Sequence, residues 1–233
     1  MQVIGFPSAV FGTNCYVVAS GPGQECVIVD PGIEILDELA QVLREHRFKP
    51  AAVLLTHGHL DHTYSVTPVC GAHGVAAYLH GDDRYRLRDP LAEFAPPMLA
   101  MLEQQFGKAA TWTEPDDVVD LVDGATLDLA GLRLEVVHAP GHTQGSVMFA
   151  LEGVPENASE AATRTLFSGD VLFEGSIGRT DLPGGDHGAM LRTLAHQVLG
   201  RADDTLVLPG HGAATTIGRE RVTNPFLQDL PAR

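Results

Sequence analysis

From Thr56 to His62 the chain reads Thr-His-Gly-His-Leu-Asp-His, so His57, His59, Asp61 and His62 fall within six residues. Imidazole and carboxylate donors at this density suit a borderline divalent cation, zinc first, with iron, manganese or nickel compatible with the same donors. Four ligand-type side chains so close together are hard to explain as packing. Three later positions share one pattern, in which an apolar run ends and a ligand-type residue follows a glycine: Pro140-Gly141-His142, Ser168-Gly169-Asp170 and Pro209-Gly210-His211. Glycine lets the backbone turn sharply and approach closely, which can bring one side chain from each loop to a common edge. Any one of the three alone would read as an ordinary turn. With the first cluster they make seven candidate ligands, a set suited to two ions.

Loops that carry ligands need strands behind them. Residues 15–19 and 26–29 are apolar runs closed by turn residues, the second by Asp30-Pro31-Gly32. Ile35, Leu36, Leu39, Val42 and Leu43 recur at helical spacing, and residues 51–55 form a buried strand leading into the histidine cluster. A helix is predicted from Asp61 to a break at Pro68, followed by a strand over residues 75–79. Residues 91–106, interrupted by Pro96-Pro97, are predicted as one or two short helices that either cover a sheet or form a lid. Residues 118–122, 126–129 and 132–137 read as successive strands with hairpin turns at Asp123-Gly124 and Ala130-Gly131. Residues 145–151 and 165–167 continue the β pattern across a polar loop at 152–164, and a helix near 187–199 precedes a strand over 205–208. This order predicts an α/β chain whose residues 1–233 form one domain of two packed sheets flanked by helices.

Composition narrows the partners. With 44% hydrophobic and 19% charged residues the chain can bury a substantial core. Asp and Glu outnumber Lys and Arg by 30 to 15, a net charge of −15 that repels a phosphate backbone, and no basic block compensates. Nucleic acid is therefore not an expected partner; a small molecule is. There is no apolar run of transmembrane length, and the first basic residue is Arg44, so neither a membrane span nor a signal peptide is expected. Cys15, Cys26 and Cys70 are widely spaced and odd in number, which reads as packing thiols of a reducing, cytoplasmic compartment.

The chain resembles the metallo-β-lactamase superfamily, and within it the small glyoxalase II-like hydrolases, over nearly its whole length. The resemblance rests on His57-Gly58-His59-Leu60-Asp61-His62, Pro140-Gly141-His142-Thr143, Ser168-Gly169-Asp170, Gly178-Arg179-Thr180-Asp181 and Pro209-Gly210-His211-Gly212. It implies a four-layer αββα sandwich, with His57, His59 and His142 at one metal, Asp61, His62 and His211 at the other, and Asp170 bridging both. Two divalent ions about 3.5–4 Å apart can share a water and lower its pKa from ~15.7 to near 7, which yields a bridging hydroxide nucleophile. Asp61, the expected catalytic carboxylate, and Asp170 would offset the cationic charge and orient the nucleophile. Ligating histidines need acceptors for their far nitrogens; Asp30 and nearby carbonyls are candidates, although Asp30 equally suits a plain turn.

The implied reaction is hydrolysis of a thioester, such as S-lactoylglutathione or a 2-hydroxyacyl thioester of another thiol carrier. Arg179, in the glycine-rich loop 175–185, stands where such enzymes present a basic residue to the substrate's carboxylate; bracing its loop through Asp181 or Asp186 is the alternative. Full-length glyoxalase II adds a C-terminal helical domain that grips glutathione, whereas this chain ends at Arg233, which leaves the thiol carrier open. Persulfide dioxygenases also resemble the sequence through Gly-Arg-Thr-Asp, and their iron would map to His57, His142 and Asp170. Their loop usually carries Cys where Ile177 stands, and Leu182-Pro183-Gly184-Gly185 suits the hydrolases. A non-catalytic module of the fold would have eroded ligands, and all seven are present. His46, His73, His80, His138, His187 and His196 have no ligand context and are expected to be solvated or packed.

Overall fold

A computed structural model describes residues 1–91, 104, 113–158, 161–228 and 230. The first sheet runs in chain order: β1 (Gln2–Pro7), β2 (Asn14–Ala19), β3 (Glu25–Val29), β4 (Lys49–Leu54), β5 (Ala77–His80) and β6 (Val118–Leu121). Its first three strands pair antiparallel, and β3 to β6 pair parallel. The second sheet holds β7 (Thr126–Leu129), β8 (Leu132–His138), β9 (Val147–Glu152), β10 (Arg164–Gly169), β13 (Thr205–Pro209) and β14 (Thr215–Thr216) as neighbours in that order. Only β10 and β13 pair parallel there. Between them in sequence, β11 (Leu172–Phe173) and β12 (Ser176–Ile177) form a small hairpin.

Side-chain alternation sorts the layers. Val18, Val27, Val29 and Leu54 point between the sheets, where they meet Leu134, Val136, Phe149 and Phe167. Their neighbours Val17, Ala19, Cys26 and Ile28 face the other way, onto Leu39, Val42 and Leu43 of α1 (Leu36–His46). After the short α2 (Leu60–Thr63), α3 (Val66–His73) adds Val66, Val69 and Cys70 to that layer. On the far side, Met148, Leu166 and Val207 of the second sheet pack against Met190, Leu194 and Val198. These belong to α5 (His187–Thr193) and the π-helical turn Leu194–Val198 that continues it. Strands buried on both faces read as continuous apolar runs, which explains their lack of polar alternation. Phe149 and Phe167 are 0% and 1% exposed at the centre of the sandwich; burial of each contributes about 1.5–3 kcal/mol. The layers are therefore α, β, β, α, and the three cysteines are buried and free, in packing positions.

Several expectations are corrected. Asp123-Gly124 is not a hairpin turn: β6 pairs with β5, while β7 opens the second sheet, so this turn carries the chain between sheets. A strand pattern does not specify its partner. Ala130-Gly131, with φ of 53° and 69°, does close the β7–β8 hairpin. Pro68 does not end a helix; it lies in the first turn of α3, where its missing N–H is no loss, and the break falls between α2 and α3. The strands β1, β11, β12 and β14 were not anticipated, nor were α6 (Ile217–Thr223) and α7 (Pro225–Gln228). The helices predicted over 91–106 lie outside the described residues, save positions 91 and 104. No helix of the described residues is long and apolar enough to cross a membrane.

Candidate metal centre

Four strand ends converge on one edge of the sandwich. His57 follows β4, His142 follows β8, Asp170 follows β10, and His211 follows β13. Strands β8, β10 and β13 run in the same direction, because β8 and β10 are both antiparallel to β9 and β13 is parallel to β10. The β10–β13 register slips between Phe167 and Gly169, and such a bulge bends the strand end from which Asp170 projects. Against it, a Cβ on Gly210 would collide with Asp170 Oδ1 and lie 2.8 Å from His62 Cε1, so only glycine lets the two loops meet.

All seven predicted ligand residues come together. His59 Nδ1 lies 3.1 Å from His57 Nε2 and 2.8 Å from His142 Nε2. His62 Nε2 lies 3.3 Å from His211 Nε2 and 3.5 Å from Asp61 Oδ2. Asp170 stands between the two ends: its Oδ1 is 3.4 Å from His62 Nε2, and its Oδ2 is 3.5 Å from both His142 Nε2 and His211 Nε2. Ligand atoms of His57, His59 and His142, of His57, His62 and Asp170, and of Asp61, His62 and His211 each fall within 4.8 Å of one another.

Partners on the far side set the tautomer of four of the five rings. Buried Asp30, with φ of 50°, accepts from Thr56 N at 2.8 Å, Thr56 Oγ1 at 2.6 Å and His62 Nδ1 at 3.0 Å. Thr56 Oγ1, its proton committed to Asp30, accepts from His57 Nδ1 at 3.1 Å. One carboxylate thus orients two histidines and also makes the turn. His142 Nδ1 donates to the Arg179 carbonyl at 2.8 Å, and His211 Nδ1 donates to the Phe11 carbonyl at 3.1 Å. His57, His62, His142 and His211 each therefore turn an unprotonated Nε2 inward when neutral, the arrangement that hydrogen-bond partners behind each ring impose at metal sites.

The donor set fits metal ions. Lone pairs of neutral imidazoles face one another at about hydrogen-bond distance, and Asp170 Oδ1 is buried with no hydrogen-bond partner. A tetrahedral ion about 2.0–2.1 Å from each imidazole nitrogen would space them about 3.3 Å apart and satisfy both oddities. The cluster fits a dinuclear site.

Charge divides the cluster into two ends. Burial, then the neighbouring histidines, push His57 well below the ordinary imidazole range, and burial and His142 lower His59 to about 3. Burial opposes protonation of His62 as well, yet Asp61, Asp170 and Asp30 raise it to about 9. Against the same burial, Asp170 and Asp61 raise His211 to about 10. Burial works against ionising Asp61 and Asp170, but His62 and His211 hold both below the usual carboxylate range.

Arg179 sits beside the site in a way the sequence left open. Its carbonyl touches His142, while its guanidinium, 60% exposed, grips Asp181 through two hydrogen bonds of 2.8 Å. Sequence reasoning missed Thr13, whose Oγ1 donates to Asp61 Oδ2 at 2.7 Å. No motif marks it. It also missed that His80 and His138 stack, with ring centroids 4.3 Å apart and planes 5° apart, beside Asp82.

Residues 9–211 match the family described as the metallo-beta-lactamase superfamily, and the chain belongs to it. An uncharacterized protein of Mycobacterium tuberculosis is 43% identical over 231 residues, covering 99% of each chain. The hydroxyacylglutathione hydrolase GloC of Haemophilus influenzae is 33% identical over 227 residues, covering 97% of this chain and 98% of its own. Among solved structures, the B3 metallo-beta-lactamase BLEG-1 superposes with a TM-score of 0.79 at 36% identity, over 97% of this chain and 100% of that one. TTHA1623 in a di-iron-bound form gives 0.74 at 34%, over 96% and 100%.

Proposed function

We propose that the protein is a dinuclear metallohydrolase that cleaves thioesters of an anionic thiol carrier. In this reading His57, His59 and His142 hold one ion, Asp61, His62 and His211 the other, and Asp170 contributes to both. Zinc is the first expectation, and the di-iron form of TTHA1623 makes iron the second. When bound, such ions supply Lewis acidity and lower the pKa of water in the cleft. The chain's own residues do the rest. Thr13 holds the Asp61 carboxylate, 22% exposed in the cleft, where it orients the attacking water. Asp30, the Arg179 carbonyl and the Phe11 carbonyl keep four rings in the ligating tautomer, so little reorganisation accompanies the reaction.

The observation that carries the substrate reading is Arg179. Its backbone is fixed to His142, yet its guanidinium is exposed and, among the described residues, held through a short-range partner on the same loop, Asp181. In a chain of net charge −15, that cation is suited to trade Asp181 for a substrate carboxylate. Similarity to GloC supports the thioester class. The acidic balance and buried thiols fit a cytoplasmic enzyme acting on small molecules.

The test is a three-way assay of metal-reconstituted protein. Turnover of S-lactoylglutathione, followed by loss of thioester absorbance, is the expected result. Oxygen uptake with glutathione persulfide and no thioester cleavage would replace the proposal with a dioxygenase. Cleavage of a cephalosporin alone would move it to the activity named for BLEG-1.

A further inference from the structure

Next to the three-histidine end lies a buried ion pair that ligand chemistry does not require. Asp83, 0% exposed, ends the 3-10 turn Gly81–Asp83 after β5, and Arg86, 2% exposed, lies in α4 (Arg84–Arg88). They meet at 2.6 Å. Asp83 Oδ2 also accepts from Gly58 N at 2.8 Å and from Thr143 Oγ1 at 2.7 Å, and Oδ1 accepts from Gly145 N at 3.0 Å. Arg86 donates onward to the Pro183 carbonyl at 2.9 Å.

The partners are not scattered. Gly58 separates His57 from His59, Thr143 follows His142, and Pro183 shares a loop with Arg179, whose carbonyl orients His142. Three loops, one after β4 of the first sheet, one after β8 of the second and one after the β11–β12 hairpin, are therefore tied to one carboxylate and one guanidinium. The fit is close: a Cβ on Gly58 would lie 2.9 Å from Arg86 Cδ, and one on Gly145 would lie 2.8 Å from Asp83 Cγ. A buried ion pair is a weak way to stabilise a fold, because desolvation offsets much of its attraction. It is a strong way to fix direction, because a buried carboxylate and a planar guanidinium accept and donate hydrogen bonds along fixed directions.

We propose that Asp83 and Arg86 are positioning residues that set the geometry of the three-histidine metal site by clamping the loops of His57, His59 and His142. The inference rests on the reading that these histidines hold a metal. Asp83 and Arg86 touch no reacting atom; their effect passes through the backbone at Gly58, Gly145 and Pro183 and through the Thr143 hydroxyl.

The experiment uses cobalt(II) as probe, because its visible spectrum reports ligand geometry, with affinity read by chelator competition. Wild type, Asp83→Asn and Thr143→Val are compared, and thermal unfolding of each metal-free protein records the fold. Asp83→Asn should weaken one of two ions about 10–100-fold and change the cobalt band, while the other ion stays bound. Thr143→Val removes the hydroxyl's bonds to Asp83 and Ser146 and keeps the side-chain shape; it should show the same spectral change with about a tenfold loss, and it decides the matter should Asp83→Asn not fold. Wild-type spectra and affinities in Thr143→Val and in folded Asp83→Asn would overturn the proposal. No cobalt uptake by wild type would instead remove the metal reading beneath it.

Discussion

Among the described residues two groups of histidine and aspartate bring ligand-type atoms together, and they differ in how those atoms are aimed. In the central group the rings of His57, His59 and His142 are nearly perpendicular, at 82°, 83° and 89°, so their in-plane nitrogens can converge. In the outlying group His80 and His138 stack at 5° with centroids 4.3 Å apart, which confines their lone pairs to separate parallel planes that do not meet at one ion. His138 Nε2 is engaged with the Gln144 carbonyl at 2.8 Å, His80 Nδ1 accepts from Asp82 N at 3.3 Å, and the Asp82 side chain is 61% exposed. Closeness of ligand-type atoms does not make a metal site. Convergent lone pairs, fixed by partners on the far side of each ring, do.

The largest effect should come from Asp170→Ala, since Asp170 faces both ends of the central group. At least one ion should be lost, and turnover should fall by more than the ~10–100-fold typical of an outer-partner mutation. His138→Ala, run alongside, should leave metal content unchanged. Elemental analysis of both variants checks the contrast; equal metal in all three proteins would abolish it.

A smaller effect sharpens the same contrast at Arg179, whose carbonyl belongs to the bracing and whose guanidinium does not. Arg179→Ala keeps the carbonyl, so metal content should not change. A charge-assisted hydrogen bond contributes about 1.5–3 kcal/mol, so kcat/KM for a carboxylated thioester should fall roughly ten- to a hundredfold. The loss should appear mostly in KM and be much smaller for a neutral thioester of the same acyl group. Equal losses on both substrates would leave the ion pair with Asp181 as a loop brace only.

The fold's outline was legible because buried strands and helical spacing leave strong marks. The parallel core strands and the ligand loops at their ends fell where the apolar runs stop. Strand partnership was not legible, and Asp123-Gly124 shows why: a turn between strands looks alike whether it closes a hairpin or crosses between sheets. At the site, the seven candidate ligands were readable because four of them crowd into six residues and the other three each follow a glycine just after an apolar run. Their supports were not. Thr13 reaches Asp61 across 48 residues, and Asp83 reaches Thr143 across 60. A lone threonine or aspartate in sequence points to no such partner. Asp30 lay between these cases, since its place after a strand marked it but its two roles needed geometry to separate.

The central claim is that seven side chains of the strand-end edge hold two ions. Anomalous diffraction from crystals of metal-loaded protein, recorded at the absorption edge of the bound metal, tests it directly. The account predicts two peaks per chain about 3.5–4 Å apart, flanked by His57, His59 and His142 on one side and by Asp61, His62 and His211 on the other. Asp170 should lie between them, with no peak at His80. A single peak, or one seated on the His80–His138 stack, would contradict it.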